Sequence, residues 1–163
     1  MDRWRDKSLV PVSRRPPAPG FTLIELIVVM AVLAIMAAIT VPALAAAHSR
    51  VSAGEAGKQL AVLLRCVQAE AQTGATRTRI SLAPDAAYSV TVLRDGAWQQ
   101  VESGSLGAVA CTTNFPSAAI EFSAHGWPCS LGSTVPRAGS IWLRSGFAST
   151  TVVVQLTGGI RCE

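Results

Sequence analysis

Residues 20–42 read GFTLIELIVVMAVLAIMAAITVP, and the reading of this stretch decides the fold of all that follows. A polar segment with several Arg and Pro residues, MDRWRDKSLVPVSRRPPAP (1–19), precedes it. The run from Leu26 to Ala47 is 22 residues long and apolar apart from Thr40. As a helix it spans about 33 Å, enough to cross a hydrocarbon core of about 30 Å. Yet a carboxylate, Glu25, stands at its mouth. A glutamate near the edge of a membrane helix is costly unless it is protonated or paired.

Several segment types share such a run. A cleaved secretory signal needs a basic start, a short apolar region and small residues at the cut. ALAAAHS (43–49) offers the small residues, but the run is longer than an ordinary signal core. Ser13-Arg14-Arg15 suggests a twin-arginine signal, but Pro16 and Pro17 follow it. A plain single-pass anchor of an extracytoplasmic protein explains the length, and leaves Gly20-Phe21 and Glu25 as coincidences. The charge distribution orients any of these. Residues 1–20 hold five bases against two acids, and the chain totals +4, which leaves +1 for residues 21–163. Basic residues before an apolar run mark the cytoplasmic side. A strongly basic body that would bind nucleic acid by neutralising phosphates is not present.

The chain has 163 residues, enough for one modest domain and an appendage. Beyond the apolar run, Ala56, Leu60, Leu63, Val67 and Ala71 recur at helical spacing, with Lys58, Gln59, Arg65, Gln68 and Gln72 expected toward solvent. Gly74 is a candidate C-cap. The helix from Leu23 to Thr73 would be some 75 Å long. Pro42 lacks a backbone donor and crowds the preceding turn, so a kink or local loosening is expected there. After Gly74 the period changes to two. TRTRISLA (76–83), YSVTVL (88–93), AWQQV (97–101), AAIEFS (118–123), SIWLRS (140–145) and TVVVQLT (151–157) read as strands. Asp95-Gly96 reads as a hairpin turn. Residues 103–117 and 124–139 read as loops. The fold class is therefore α+β: a long N-terminal helix, membrane-spanning in its first half, whose amphipathic second half packs on an antiparallel β-sheet head.

Catalytic chemistry has little to stand on. His48 falls at the membrane edge and His125 in a loop, with no activated nucleophile beside either. Two histidines and four cysteines without a CxxC spacing give a metal little purchase, and no cofactor is expected. Glu121 alternates with Ile120 and Phe122 and is expected to point to solvent. Trp98, Trp127 and Trp142 read as core residues, with a contact surface as the alternative. Four cysteines in an exported chain permit two disulfides, free buried thiols being the alternative. The favoured pairs are Cys111–Cys129 between the two loop segments and Cys66–Cys162, which would tie the C-terminus to the helix.

Residues 20–42 closely resemble the class III signal of type IV pilins and type II secretion pseudopilins. In that family a prepilin peptidase cuts after a glycine on the cytoplasmic side, and the new N-terminal residue is methylated. A glutamate lies fifth and often a proline twenty-second in the mature chain. Cleavage after Gly20 makes Phe21 the first residue, Glu25 the fifth and Pro42 the twenty-second. The resemblance implies that Glu25 faces the new α-amine of a neighbouring subunit. The charge at the mouth of the apolar run is thus explained by a partner chain rather than by lipid.

AGKQLAVLLRCVQAEAQTGATRTRISL (56–82), AIEFSAHGWP (119–128) and VVVQLTGGIRC (152–162) are similar to segments of the GspH/FimT family of minor pseudopilins and minor pilins. The implied organisation is a leader at 1–20, a transmembrane and assembly helix at 21–47, an amphipathic helix at 48–74 and a β-rich head at 75–163. The implied protein is a non-enzymatic subunit of a type II secretion pseudopilus or type IV pilus. Its partners would be other pilins or pseudopilins, the prepilin peptidase and the inner-membrane assembly platform. It would sit in the inner membrane as a single-pass protein with its head outside the cytoplasm. Some T-type minor pilins serve DNA uptake through basic residues near the C-terminal glycine turn. The matching position here is Arg161, with Arg137 and Arg144 upstream, in a head (49–163) of nine bases and seven acids.

Overall fold

The computed structural model describes residues 20–163; the basic leader (1–19), including Arg14 and Arg15, lies outside the described residues. The chain forms two compact units, one ending at Ile39 and one running from Thr40 to Glu163. A single helix, α1 (Leu23–Thr73), passes through both, and helical conformation continues through Pro42.

In the first unit every described residue is exposed. Leu26, Ile27, Val32, Leu33 and Ile35 each show half or more of their surface. No described residue buries them, and α1 is by length and composition able to cross a membrane.

In the second unit α1 acquires a buried face of Ala53, Ala56, Gly57, Leu60, Ala61, Leu64, Val67 and Ala71. The expected stripe is present, with Leu63 at its edge and Leu64 inside it. Small residues early in this face let the backbone approach the sheet closely. A Cβ on Gly57 would fall 2.5 Å from Thr150 Cγ2.

The helix ends beside Gly74, but the left-handed residue is Ala75, with φ of 46°. The Thr76 N–H donates to Ala71 O at 3.1 Å, which closes a Schellman-type turn around it. A residue with a Cβ pays to sit in this region, and glycine does not. Ala75→Gly is therefore expected to stabilise the head by about 1 kcal/mol, read as a higher urea midpoint. An unchanged or lower midpoint contradicts the cap assignment.

Nine strands follow: β1 (Thr78–Leu82), β2 (Ala87–Arg94), β3 (Ala97–Ser105), β4 (Ala110–Thr113), β5 (Ala119–Phe122), β6 (Pro128–Cys129), β7 (Gly139–Ser145), β8 (Ala148–Val154) and β9 (Ile160–Cys162). They make a five-stranded sheet in the order β3-β2-β1-β5-β6 and a four-stranded sheet in the order β4-β7-β8-β9. All pairings are antiparallel. Asp95 and Gly96, with φ of 52° and 79°, form the two-residue turn between β2 and β3, as the Asp-Gly step requires.

β4 and β6 lie in segments expected to be loops. Each is a short edge strand flanked by Gly, Ser or Pro, too brief to show a period. Ile80, Leu82 and Val90 of one sheet and Ile141, Leu143, Val152 and Val154 of the other share one core with α1. Thr78, fully buried, donates its hydroxyl to Val67 O at 2.9 Å and pins β1 to the helix.

Candidate functional site

The residues of the expected processing site and of the expected membrane span are contiguous. Gly20 and Phe21 precede α1 in extended, exposed chain. Thr22 caps the helix: its carbonyl accepts the Leu26 N–H at 3.2 Å and its Oγ1 accepts the Glu25 N–H at 3.3 Å. Glu25 thus occupies the third helical position of a Thr-x-x-Glu capping sequence, in the first turn, where the helix dipole favours an anion. Sequence reasoning missed this local role, although the spacing was there to be read. Capping explains why a carboxylate suits the first turn of a helix. A Glu side chain facing an apolar environment is still costly unless it is protonated or given a counter-charge, and cleavage after Gly20 would create an α-amine four residues away in the chain. Pro42 is exposed on α1, where its missing N–H leaves the Ala38 carbonyl without its usual helical donor.

In the head, three polar side chains of α1 also hold distant backbone carbonyls, Arg65 and Gln72 from exposed positions as expected and Gln68 from a half-buried one. Arg65 Nη2 donates to Ile160 O at 2.9 Å. Gln68 Nε2 donates to Gly126 O at 2.7 Å and to Gly158 O at 3.0 Å. Gln72 Nε2 donates to His125 O at 3.3 Å. These residues clamp the 123–127 loop and the C-terminal glycine turn onto the helix. Lys58 and Gln59 do remain exposed.

Glu121 corrects a second expectation. It is fully buried, not solvent-facing. Its carboxylate is ion-paired with Arg77 and, at 2.7 Å, with Arg79. It also accepts the Gly132 N–H at 3.3 Å, while Arg77 donates to Ser133 O at 2.8 Å. A loop at 130–133 therefore closes over the outer face of the five-stranded sheet. Alternation correctly sends Ile120 and Phe122 inward, but it cannot reveal a cover on the other side. Arg79 extends the cluster by lying over the Trp98 ring, 4.0 Å from its centroid.

None of the three head tryptophans joins the core. Trp98 is half-buried under Arg79, and Trp127 and Trp142 are 48% and 41% exposed. Trp142 lies on the outward face of β7, whose inward residues are Ile141 and Leu143. His125 stacks on Trp127 at 5.4 Å in its loop, and His48 is exposed on α1. Among the described residues, no three His, Cys, Asp or Glu side chains group as metal ligands. Tyr88 donates to Glu102 at 2.9 Å, and that hydrogen bond raises its phenol above the ordinary range.

The cysteine pairs are not brought together, and all four thiols are free. Cys111 is on β4 of the four-stranded sheet and Cys129 on β6 of the five-stranded one. Burial pushes both thiols up, keeping them protonated and unreactive. Cys162 Sγ would lie 3.0 Å from a Cβ on Gly57. Cys66 is about 13 Å further along the helix and half a turn round it, so it faces away from Cys162. It stands instead beside Glu70 and Arg94.

The three arginines singled out for DNA do not gather. Arg161 lies opposite Val153 and Arg144 opposite Ser149, about 13 Å apart along β8. Arg137 belongs to the loop beside β6 in the other sheet, where its N–H donates to Pro128 O at 2.7 Å.

Comparison with known proteins agrees with this anatomy. The family described as "Prokaryotic N-terminal methylation motif" matches residues 18–41. The type IV minor pilin FimU of Pseudomonas aeruginosa PAO1 is similar in structure, with a TM-score of 0.58 and 15% identity over 70% of this chain and 90% of that one. The minor pseudopilin EpsH of the type 2 secretion system of Vibrio cholerae gives a TM-score of 0.56 and 12% identity over 69% of this chain and 96% of that one. No match was found among curated protein sequences. The chain is therefore a protein with a prokaryotic N-terminal methylation motif, built on the fold shared by minor pilins and minor pseudopilins.

Proposed function

We propose that the chain is a minor pilin or pseudopilin subunit, processed after Gly20 and assembled into a type II secretion pseudopilus or a type IV pilus. The observation that carries this reading is the union in one chain of a methylation motif at 18–41 and a minor-pilin fold. Residues 1–20 act as the leader and 21–47 as the membrane and assembly helix. Residues 48–74 continue that helix into the head formed by 75–163. The subunit sits in the inner membrane with its head outside the cytoplasm until it is drawn into a filament. It catalyses nothing; its partners are the prepilin peptidase, the assembly platform and other pilins.

The mechanism follows from where charge is placed. Cleavage frees an α-amine at Phe21 and removes the basic leader that held the start of the chain on the cytoplasmic side. A carboxylate and an amine are each costly in an apolar bundle, and pairing them across subunits offsets much of that cost. The pair also sets the axial register between adjacent helices. Comparing the protein from membranes of cells with and without a prepilin peptidase tests this reading. The chain should shorten by its leader only where the peptidase is present, and peptidase-independent shortening contradicts the proposal.

A further inference from the structure

The turn joining β7 to β8 consists of Gly146 and Phe147, since Ser145 pairs with Ala148. Gly146 has φ of 54°, which suits the first central position of a tight hairpin turn. It also lies against α1: a Cβ there would fall 2.8 Å from Ser49 Oγ. Phe147, the next residue, is 98% exposed, more than any other large apolar side chain among the described residues. An aromatic ring held out at a hairpin tip contributes nothing to the core.

Its position along α1 is informative. The apolar run ends at Ala47, and Ser49 lies about 3 Å beyond it along the helix axis. Between Val41 and Arg50 only Ala46 and Ser49 lose exposure, and they continue the face that carries Ala53 and Ala56. The tip therefore reaches the level at which α1 leaves the apolar run. Two cations flank it. Arg50 is exposed one residue past Ser49, and Arg144 donates its Nε to Gly146 O at 3.1 Å. Neither forms an ion pair among the described residues. An apolar ring next to exposed arginines, at the end of a bilayer-length helix, matches the chemistry of the acyl–headgroup boundary.

We propose that the Gly146–Phe147 tip is a membrane-contact site. Phe147 inserts at the boundary of the bilayer that α1 crosses, and Arg50 and Arg144 face lipid phosphates. The site rests on the reading of 26–47 as a membrane span. It gives the unassembled head a second point of attachment, so that the head is held against the bilayer until the subunit is extracted.

The test uses the full chain reconstituted in phosphatidylethanolamine–phosphatidylglycerol vesicles, with or without bromine high on the acyl chains. Phe147→Trp and Leu33→Trp serve as separate reporters, each read as a difference from the parent with its four tryptophans. Brominated lipid is expected to remove roughly half of the added emission from Phe147→Trp, as for an aromatic side chain at the interface. Quenching at Leu33→Trp without quenching at Phe147→Trp overturns the contact site and leaves the membrane span standing. Quenching at neither position overturns both. If the Phe147→Trp reporter is unquenched in vesicles but shielded from aqueous acrylamide within filaments, its partner is a neighbouring subunit and the lipid assignment is wrong.

Discussion

Glu25→Gln is expected to eliminate the protein from sheared filaments while leaving its cleavage and membrane insertion intact. The substitution is chosen to isolate charge. Glutamine matches glutamate in length and helix propensity. The Thr22 cap is kept because it engages the backbone N–H of residue 25, not its side chain. An uncharged residue also enters a bilayer more readily than a carboxylate, so insertion does not suffer. In the proposed assembly, what disappears is the partner of the Phe21 α-amine in the adjoining subunit. Removing one member of a buried ion pair costs about 3–5 kcal/mol because the other charge is left uncompensated. At about 1.4 kcal/mol per tenfold, incorporation falls by roughly 100-fold or more. Quantifying the subunit in filament and membrane fractions by immunoblot is decisive. Parental levels of Glu25→Gln in the filament would show that the carboxylate serves only the first helical turn.

A loss of comparable size is expected in the head from Glu121→Ala. Glu121 is completely buried, while the Arg77 and Arg79 side chains are 30% and 27% exposed. Without the carboxylate, two guanidinium groups remain together with no anion between them, and the Gly132 N–H loses its acceptor. The partial exposure of the arginines lets water relieve some of the cost, so the lower part of the range for broken buried pairs applies, about 3 kcal/mol. That is a large share of the roughly 5–15 kcal/mol by which a domain is ordinarily stable. Urea denaturation of the full chain in detergent measures it. Glu121→Gln, which keeps a hydrogen-bonding oxygen, should fall between the two. A shift below about 1 kcal/mol for Glu121→Ala would mean that the 130–133 loop does not depend on the cluster.

The contrast between these two glutamates shows what the sequence makes legible. Glu25 is interpretable from residues within five positions of it, because Gly20, Phe21 and the start of α1 are contiguous with it. The amphipathic half of α1, the Asp95-Gly96 hairpin and the longer strands are likewise local, each carried by a period or a turn pair. Glu121 depends on a loop that begins nine residues later and folds back over it, and no periodicity encodes that return. Arg65 and Gln72 are exposed as their spacing predicts and Gln68 is half-buried, but the bonds all three make are not legible for the same reason, since their acceptors are backbone carbonyls of distant turns. Disulfide pairing was the least legible. A Cys66–Cys162 pair is compatible with the order of helix and terminus, but Gly57 and not Cys66 faces the last strand. Ala75 is not legible as the left-handed residue because the neighbouring Gly74 is the residue type that favours that conformation.

Processing after Gly20 would fix the covalent start of the working protein. Intact-mass and N-terminal sequence analysis of the full-length gene product, purified from the membranes of its own host, tests it most directly. The expected result is a chain beginning at Phe21 and heavier than its sequence by one methyl group. A chain that retains residues 1–20, or one that begins near His48, would contradict it.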